Sequence, residues 1–268
     1  MKSNIGFIGA GNMASALVSG LINSGHDPKN LMASSPEPEH LENMRDSFEI
    51  LTSNDNIDIF DSCDTVVLAV KPHNISDVLR SISQVVSKER HLLISIVAGV
   101  LIKDIEANLT NEQRIIRAMP NTPASIKLAV SALSFNSKVS PNDKKIAENL
   151  FNSVGTTCWL KESSLDLYTA LIGSGPAYIF YLIESLLESS KELELDQNTK
   201  KNLIAEMIIG SAQLAKLSAD SPTILRQKVT SPAGVTQKAL EVFEKEGIKE
   251  SIMLAIKEAK KRSEELGN

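Results

Sequence analysis

The stretch Ile5-Gly6-Phe7-Ile8-Gly9-Ala10-Gly11-Asn12-Met13-Ala14, close to the start of the chain, decides the fold. A short apolar run breaks on glycines here, and the apolar residues that follow it return at helical spacing. This order predicts a strand, a tight turn and a helix. Gly9, Gly11 and Ala14 fit the pattern G-x-G-x-x-G/A, in which the first position permits the turn, the second lets a pyrophosphate approach the backbone and the last allows close helix packing.

Two interpretations of this turn are open. In a dinucleotide site, the phosphates would accept hydrogen bonds from free N–H groups at the start of the helix, where the helix dipole also favours an anion. In a structural turn, the glycines would serve the backbone alone, since G-x-G occurs in many ordinary turns. The position directly after the first apolar strand and before a helix favours the dinucleotide site.

The composition is typical of a soluble globular protein. The 268 residues are 42% hydrophobic and 23% charged, with a net charge of -5, and the length allows one large domain or two ordinary ones. Lys and Arg are dispersed and fewer than Asp and Glu, which argues against a nucleic-acid partner. Cys63 and Cys158 lie in unrelated segments without metal-type spacing, so we expect buried thiols rather than a disulfide or a catalytic pair, and no metal site.

No segment of the sequence predicts secretion or membrane insertion. The first apolar run is cut by glycines, which argues against a signal peptide. The longest apolar region, residues 170–187, is interrupted by Gly-Ser-Gly-Pro and carries Glu184, so it is a poor membrane span. We therefore expect a cytoplasmic enzyme without a membrane partner.

The first half of the chain alternates apolar strands with helical patterns. This alternation predicts an α/β fold, with a Rossmann-like doubly wound sheet as a dinucleotide-binding domain over residues 1–162. After the first strand, the predicted strands are 30–34, 65–70, 92–97, 114–119, 129–135 and 156–160, and the predicted helices are 37–47, 74–87 and 143–153.

The end of the second strand bears on cofactor choice. A Rossmann unit specific for NAD usually places Asp or Glu there to hold the ribose 2′-hydroxyl. Ser34, Ser35 and Pro36 stand there instead, which removes the repulsion against a 2′-phosphate and offers hydroxyl donors. No arginine follows closely, so a charged clamp is missing. The sequence predicts NADP(H), with NAD(H) use also open.

Polar residues follow several later strands, at the sheet edge where open α/β folds bind ligands. His73 is either a general acid or a capping residue before the next helix, and Lys71 either touches a ribose hydroxyl or is solvated. Ala98 and Gly99 are small enough to let the backbone approach a flat ring. Glu162 is either a solvated acid in a first helical turn or a carboxylate near a cationic substrate.

From residue 163 to residue 268 the pattern is helical throughout, with predicted helices at 165–172, 177–195, 199–218, 234–246 and 248–266. The segment 177–183 is apolar nearly all round, and one neighbouring helix cannot cover such a surface. We therefore expect an all-helical second domain in which a second subunit covers this helix.

The segment Val229-Thr230-Ser231-Pro232-Ala233-Gly234-Val235-Thr236 lies between two predicted helices. Ser231 is predicted to cap a helix that Pro232 opens, which leaves the N–H groups of residues 233–236 free for a carboxylate. Thr236 would place its hydroxyl on the first turn, within reach of that ligand. An ordinary Ser-Pro helix start is the alternative.

Five motifs taken together resemble pyrroline-5-carboxylate reductases. The last two are much more specific than the Rossmann glycines, and the resemblance covers essentially the whole chain. It implies reduction of 1-pyrroline-5-carboxylate to L-proline by NAD(P)H, the last step of proline biosynthesis, in a homodimer or larger homo-oligomer built through an all-helical C-terminal dimerisation domain. The motifs are GAGNMA at 9–14, AVKP at 69–72, RAMPNTP at 117–123, GSGPAY at 173–178 and VTSPAGVT at 229–236.

The resemblance also implies site residues, carried over by position. Thr236 would be catalytic, through a hydrogen bond to the ring nitrogen, and Glu162 would supply compensating negative charge. The family often has glycine at Ala233, and the residue type varies at Lys228. Implied substrate contacts are Glu162, Lys228, Ser231, Gly234, Val235 and Thr236; implied cofactor contacts are Ile8, Gly9, Ala10, Gly11, Asn12, Met13, Ser34, Asn56, Ala69, Val70, Lys71, Pro72, Ile96, Val97 and Ala98.

Two other functions are consistent with a Rossmann domain followed by helices. A reductase acting on a β-hydroxy acid would normally carry a lysine general base on the first long helix of the second domain, and residues 177–187 contain no lysine. A non-catalytic NAD(P)-binding sensor would bind the cofactor without turnover.

Overall fold

A computed structural model describes residues 4–110 and 112–266. Within these residues, eight strands form one sheet in the order β3-β2-β1-β4-β5-β6-β7-β8. Strands β1 to β6 are parallel, β7 is antiparallel to β6, and β8 is parallel to β7. The strands are β1 (Ile5–Ile8), β2 (Leu31–Ser34), β3 (Leu51–Ser53), β4 (Thr65–Leu68), β5 (Leu92–Ser95), β6 (Arg114–Met119), β7 (Ala129–Phe135) and β8 (Gly155–Trp159).

Helices cover both faces of this sheet. Every residue of β1, β2, β4 and β5 is buried, as expected for central parallel strands that carry helices on both sides. One face packs against α1 (Asn12–Asn23), α2 (Pro38–Phe48) and α6 (Pro141–Asn152). The other packs against α3 (Asn56–Ser62), α4 (Ile75–Ile82) and α5 (Ile102–Ala107). The predicted doubly wound sheet is therefore present.

The segment after β8 packs on the sheet. It comprises α7 (Leu165–Tyr168) and a π-helical turn, Thr169–Gly173. Leu165 and Tyr168 cluster with Met119 and Ala132, and the Tyr168 hydroxyl donates to the Val130 carbonyl at 2.8 Å. Burial raises the pKa of Tyr168. These contacts attach α7 to the strands of the sheet.

The described chain divides into two compact units. One holds residues 4–174 and 258–266, and the other holds Gly175–Lys257. The end of the last helix belongs to the first unit, and its Ser263 hydroxyl donates to Asp166 Oδ1 at 2.8 Å. This division by compactness differs from the predicted domain boundary at residue 162, which concerns function and stays a prediction.

The second unit consists of helices with few buried side chains. It contains α8 (Gly175–Ser189), α9 (Gln197–Leu217), α10 (Pro222–Lys228), α11 (Val235–Lys245) and the first part of α12 (Ile248–Leu266). Phe180 is 61% exposed and Tyr181 is 72% exposed. Aromatic side chains at this exposure form an apolar surface of the kind that marks an interaction site.

Among the residues that the structure describes, one helical stretch, Glu162–Ser189, is long and apolar enough by length and composition alone to cross a membrane, with a mean hydropathy of 1.4 over an 18-residue window. The π-helical turn at Thr169–Gly173 lies inside it. A helix covered by another protein surface passes the same test, so this property does not identify a membrane span.

Several predicted elements differ from the observed ones. The short elements β3, α3, α5 and α10 were not predicted, because each spans only three to seven residues and is too short for its apolar pattern to repeat several times. The predicted helix 74–87 ends at Ile82, and the predicted helix 177–195 ends at Ser189. By contrast, the predicted bounds of β6, β7 and α12 are those observed.

Candidate active site

The glycine turn after β1 lies between the ends of two neighbouring strands. Gly9 has φ +104°, and a Cβ at Gly9 would lie 2.5 Å from the Ala69 carbonyl oxygen, so only glycine fits. The Gly9 N–H donates to the Ser34 carbonyl at 2.8 Å, and the Ala69 N–H donates to the Ile8 carbonyl at 2.8 Å. These bonds bring the ends of β1, β2 and β4 together.

The start of α1 is open toward this turn. Gly11 is the N-cap residue, and no side chain caps the helix. A Cβ at Gly11 would meet nothing within 4 Å, so there is room for a ligand against the backbone. Asn12 and Met13 begin the helix, where N–H groups have no intrahelical acceptor. Ala14 is buried, as its role in close helix packing requires.

A cavity of about 320 Å³ opens beside the glycine turn. Its lining includes five residues that the resemblance assigns to the cofactor, Ile8, Gly9, Ser34, Asn56 and Val70. Ser34 is fully buried, and its hydroxyl donates to Asn56 Oδ1 at 2.7 Å. The structure therefore brings together predicted cofactor residues that lie far apart in sequence.

A larger cavity of about 560 Å³ lies at the other edge of the sheet, where β1 begins. Its lining includes His26, Asp27, Asn30 and Asn149. None of its lining residues belongs to the predicted site. Among the described residues, moreover, no group of three or more His, Cys, Asp or Glu side chains has a metal-binding arrangement.

Glu37 is an acidic residue close to the end of β2, and the sequence prediction gave it no role at the site. Ser35 donates to Glu37 Oε2 at 2.6 Å, and this hydrogen bond holds the pKa of Glu37 below its usual value. Glu37 is an exposed carboxylate three residues after the end of β2, and it is not among the residues that line the cavity beside Gly9. The sequence prediction considered only residues 34–36 at the end of this strand and therefore did not include Glu37.

The remaining predicted cofactor residues lie at the ends of β4 and β5. Leu68 pairs with Ser95 across these strands, and the Ile96 N–H donates to the Leu68 carbonyl at 3.0 Å. Residues 69–72 and 96–98 are therefore neighbours at the carboxyl edge of the sheet, on the same edge as the glycine turn. Lys71 is exposed and precedes a 3₁₀ turn, Pro72–Asn74.

Glu162 lies in a 3₁₀ turn directly after β8. Its Oε1 accepts a hydrogen bond from Arg117 Nη1 at 2.8 Å and another from the Ile102 N–H at 2.7 Å. Sequence reasoning named Glu162 but gave no role to Arg117, although Arg117 opens one of the quoted motifs. Glu162 is thus an ion-paired acid and not a freely solvated one.

The prediction that Ser231 caps a helix opened by Pro232 is wrong. Helix α11 begins at Val235, with Gly234 as its N-cap. Residues 231–234 instead form a turn in which the Gly234 N–H donates to the Ser231 carbonyl at 3.0 Å, and Ala233 has φ +58°. Proline followed by a residue of positive φ favours this turn over a helix start.

The new geometry changes which N–H groups are free. The Ala233 N–H donates to Gln237 Oε1 at 2.7 Å, and the Gly234 N–H is used in the turn. Val235 and Thr236, the first two residues of α11, therefore provide the open N–H groups. A Cβ at Gly234 would lie 2.4 Å from the Ser231 hydroxyl oxygen, so a larger residue here would have to displace the Ser231 side chain.

Lys228 ends α10, and its ammonium is paired with Asp220. The pair leaves the lysine charge partly compensated. Thr236 and Lys228 both belong to the helical unit, whereas Glu162 belongs to the unit that contains the sheet.

Comparison with known proteins identifies the family. Residues 162–266 match the family model described as pyrroline-5-carboxylate reductase dimerisation, and residues 4–99 match one described as NADP oxidoreductase, coenzyme F420-dependent. A pyrroline-5-carboxylate reductase of Methanosarcina acetivorans is 38% identical over 99% of this chain and 98% of its own length. The chain belongs to the pyrroline-5-carboxylate reductase family.

Solved structures of pyrroline-5-carboxylate reductases share the whole fold. The enzyme from Coxiella burnetii has a TM-score of 0.90 and 37% identity, with 100% of both chains covered. The Plasmodium falciparum enzyme, crystallised with NADP bound, has a TM-score of 0.91 and 32% identity over 99% of this chain and 98% of that one. The family and the fold class predicted from the motifs are both confirmed.

Proposed function

We propose that the protein reduces 1-pyrroline-5-carboxylate to L-proline with NADPH, the last step of proline biosynthesis. The observation that carries this proposal is the full-length likeness to pyrroline-5-carboxylate reductases. The reaction needs a hydride donor, a protonated cyclic imine and a fixed orientation of the two. It needs no covalent nucleophile.

The nicotinamide cofactor supplies the hydride when bound. Three observations support its place beside β1: the open space at Gly11, the uncapped start of α1, and the cavity that contains Ser34 and Asn56. The relative crystallised with NADP adds support for NADP. NADH use remains part of the proposal, since no arginine follows Ser34 closely. The proposed contacts are Ile8, Gly9, Ala10, Gly11, Asn12, Met13, Ser34, Asn56, Ala69, Val70, Lys71, Pro72, Ile96, Val97 and Ala98.

The turn before α11 is proposed to bind the substrate carboxylate. The N–H groups of Val235 and Thr236 are open, and the helix dipole adds to their attraction for an anion. Ser231 and Gly234 shape the turn. At Lys228 we propose a backbone contact, because the ammonium is already paired with Asp220.

Thr236 is the proposed catalytic residue. Its hydroxyl would hydrogen-bond the ring nitrogen and so stabilise the proton that activates the imine. The resemblance also assigns Glu162 to the substrate, and we propose that its Oε2 supplies compensating negative charge, because both of its hydrogen bonds run to Oε1. Since Arg117 already balances the charge of Glu162, this second contribution is the smaller one.

We further propose a cytoplasmic homodimer or larger homo-oligomer, with residues 1–162 as the cofactor domain and residues 163–268 as the dimerisation domain. The family model for dimerisation covers 162–266, and the exposed aromatic residues of α8 supply a suitable surface. Light scattering at micromolar concentration should find no monomer. A stable, active monomer would contradict this assembly.

A direct assay tests the reaction. Purified protein, 1-pyrroline-5-carboxylate and NADPH should give oxidation of NADPH with one L-proline formed for each NADPH consumed. A β-hydroxy acid with NADP is the control for the rival reductase and should give no reduction of NADP. Binding of NADPH without formation of L-proline would instead indicate a sensor and would reject the proposed reaction.

A further inference from the structure

Arg117 is an arginine buried inside the sheet unit. It lies on β6, and only 3% of its side chain is exposed. A buried guanidinium is costly unless a carboxylate balances it. Glu162 provides that carboxylate, with Nη1 and Oε1 separated by 2.8 Å. Charge-assisted bonds of this kind are stronger and more directional than neutral ones.

The same oxygen of Glu162 holds a second segment of the chain. Oε1 accepts a hydrogen bond from the N–H of Ile102 at 2.7 Å. Ile102 is the first residue of α5 and ends the loop 96–101 that follows β5. A single carboxylate oxygen therefore joins β6, the turn after β8 and the far end of this loop.

The near end of the loop is held by the sheet. Ser95, the last residue of β5, pairs with Arg117 on β6, and the Val97 N–H donates to the Ser95 hydroxyl at 3.3 Å. Ile96 is bonded to the end of β4. Because both ends are held, the backbone of residues 96–101 has a defined path along the carboxyl edge.

We propose that Arg117 is a positioning residue for the cofactor. It orients Glu162, Glu162 anchors Ile102, and the anchored loop presents residues 96–98 as a fixed wall for the nicotinamide ring. This inference rests on the proposed function, in which residues 96–98 contact the cofactor. Arg117 itself touches neither the cofactor nor the substrate in this arrangement.

The same strand offers a matched control for loss of a buried ion pair. Arg114 begins β6 at the opposite edge of the sheet, and its Nη1 donates to Asp143 Oδ1 at 2.7 Å. The Asp143 side chain is 1% exposed. Arg114→Met and Arg117→Met therefore each remove an arginine of β6 and leave its carboxylate partner without an ion pair. Only Arg117→Met affects a carboxylate that is bonded to the end of the loop 96–101.

Amide hydrogen exchange tests the anchor without any turnover. Exchange of the Ile102 amide should accelerate at least about tenfold in Arg117→Met, as expected when a local tether is lost, and should stay at the parent rate in Arg114→Met. Glu162→Gln keeps an acceptor oxygen for Ile102 but removes the ion pair, so its exchange rate should lie between the parent and Arg117→Met.

Cofactor binding and kinetics test the consequence. Arg117→Met should raise the Kd for NADPH and lower kcat by about tenfold or more, since small displacements of reacting groups have effects of this size. The primary isotope effect with NADPH deuterated at C4 should also rise, because hydride transfer becomes slower. Arg117→Lys should recover part of each loss. Arg114→Met should lower the Tm by about as much as Arg117→Met does. Its Kd for NADPH, its kcat and its isotope effect should stay at the parent values.

Formation of L-proline tests the proposed reaction, whereas Ile102 exchange and NADPH binding test the role of Arg117. A parent protein that forms no L-proline rejects the reaction, while Ile102 exchange and the NADPH Kd still decide the role of Arg117. If Arg117→Met changes Tm alone, as Arg114→Met does, Arg117 is a structural residue and the positioning role is rejected.

Discussion

The Ser34 hydroxyl lies 2.7 Å from Asn56 Oδ1, although 22 residues separate the two positions. Ser34 ends β2 and Asn56 begins α3, so the bond joins the end of a strand to the start of a helix at the carboxyl edge of the sheet. Both side chains line the cavity beside Gly9. A hydroxyl and an amide in contact can reorient together to donate hydrogen bonds to a phosphate, which suits the proposed 2′-phosphate site.

Ser34→Asp should change cofactor preference. A carboxylate at this position would repel a 2′-phosphate but would accept a hydrogen bond from a free 2′-hydroxyl. We expect the KM for NADPH to rise far more than the KM for NADH, measured in the same preparation. Ser137→Asp adds the same charge in an exposed turn at the opposite edge and should leave the ratio unchanged. If Ser34→Asp changed both KM values equally, Ser34 would not lie beside the 2′-phosphate.

The sequence predicted the sheet because each central strand is an apolar run and each helix repeats an apolar face. The same patterns could not reveal β3, whose three residues are partly exposed. They could not reveal the turn at Ala233 either, because proline is also favoured at the first position of a helix. Arg117 and Glu162 lie 45 residues apart, and their contact depends on how β7 and β8 join the sheet, which no local pattern specifies.

The neutral state of His91 should make stability depend on pH. Nδ1 of this buried imidazole accepts a hydrogen bond from the Ser87 N–H at 2.9 Å, and Nε2 lies 3.0 Å from the Phe60 carbonyl. A proton on Nδ1 would face an N–H donor. Burial, as the main cause, lowers the pKa of His91, so the folded protein keeps the ring neutral.

Folded and unfolded His91 bind a proton in different pH ranges, and this difference makes the free energy of unfolding depend on pH. An unfolded histidine binds its proton near a pH of about 6.5, whereas folded His91 does so only at lower pH. The free energy of unfolding should therefore fall as pH drops below about 6.5, by at most about 1.4 kcal/mol for each pH unit. The free energy of unfolding should stop falling on this account once the pH is below the pKa of His91 in the folded protein.

Urea unfolding at several pH values and one fixed protein concentration measures this dependence. His91→Gln should be less stable near neutral pH, but its free energy of unfolding should depend less on pH below about 6.5. His73→Gln removes an exposed imidazole and should retain the parent dependence. Parallel pH curves for His91→Gln and the parent would show that His91 does not cause the decline.

Ala233→Gly should stabilise the protein. Ala233 has φ +58°, a conformation that costs a residue with a Cβ about 1 to 2 kcal/mol. Glycine removes this strain but adds flexibility to the unfolded chain, so we expect a net gain of about 0.5 to 1 kcal/mol. Ala212→Gly makes the same change inside α9, where it should destabilise by about 1 kcal/mol. A loss of stability in Ala233→Gly would contradict the strain argument.

Thr236 should assist catalysis, while the N–H groups beside it mainly bind the substrate. An imine reduced in water-poor surroundings needs a hydrogen-bond partner for its nitrogen, and Thr236 lies in the first turn of α11 with the open N–H groups. Loss of one such partner costs about 1 to 3 kcal/mol, or about 5-fold to 150-fold in rate. Thr236→Ala should lower kcat/KM for 1-pyrroline-5-carboxylate by that factor and leave the Kd for NADPH nearly unchanged.

Two further variants separate the Thr236 hydroxyl from the shape of the turn. Thr236→Ser keeps the hydroxyl and should recover most of the activity. Thr230→Ala removes a nearby hydroxyl that already donates to the Arg226 carbonyl at 2.6 Å, so its kcat/KM should stay close to that of the parent. If Thr236→Ala instead turned over like the parent, the proton on the ring nitrogen would have to be supplied and stabilised by solvent, and Thr236 would serve only the first turn of its helix.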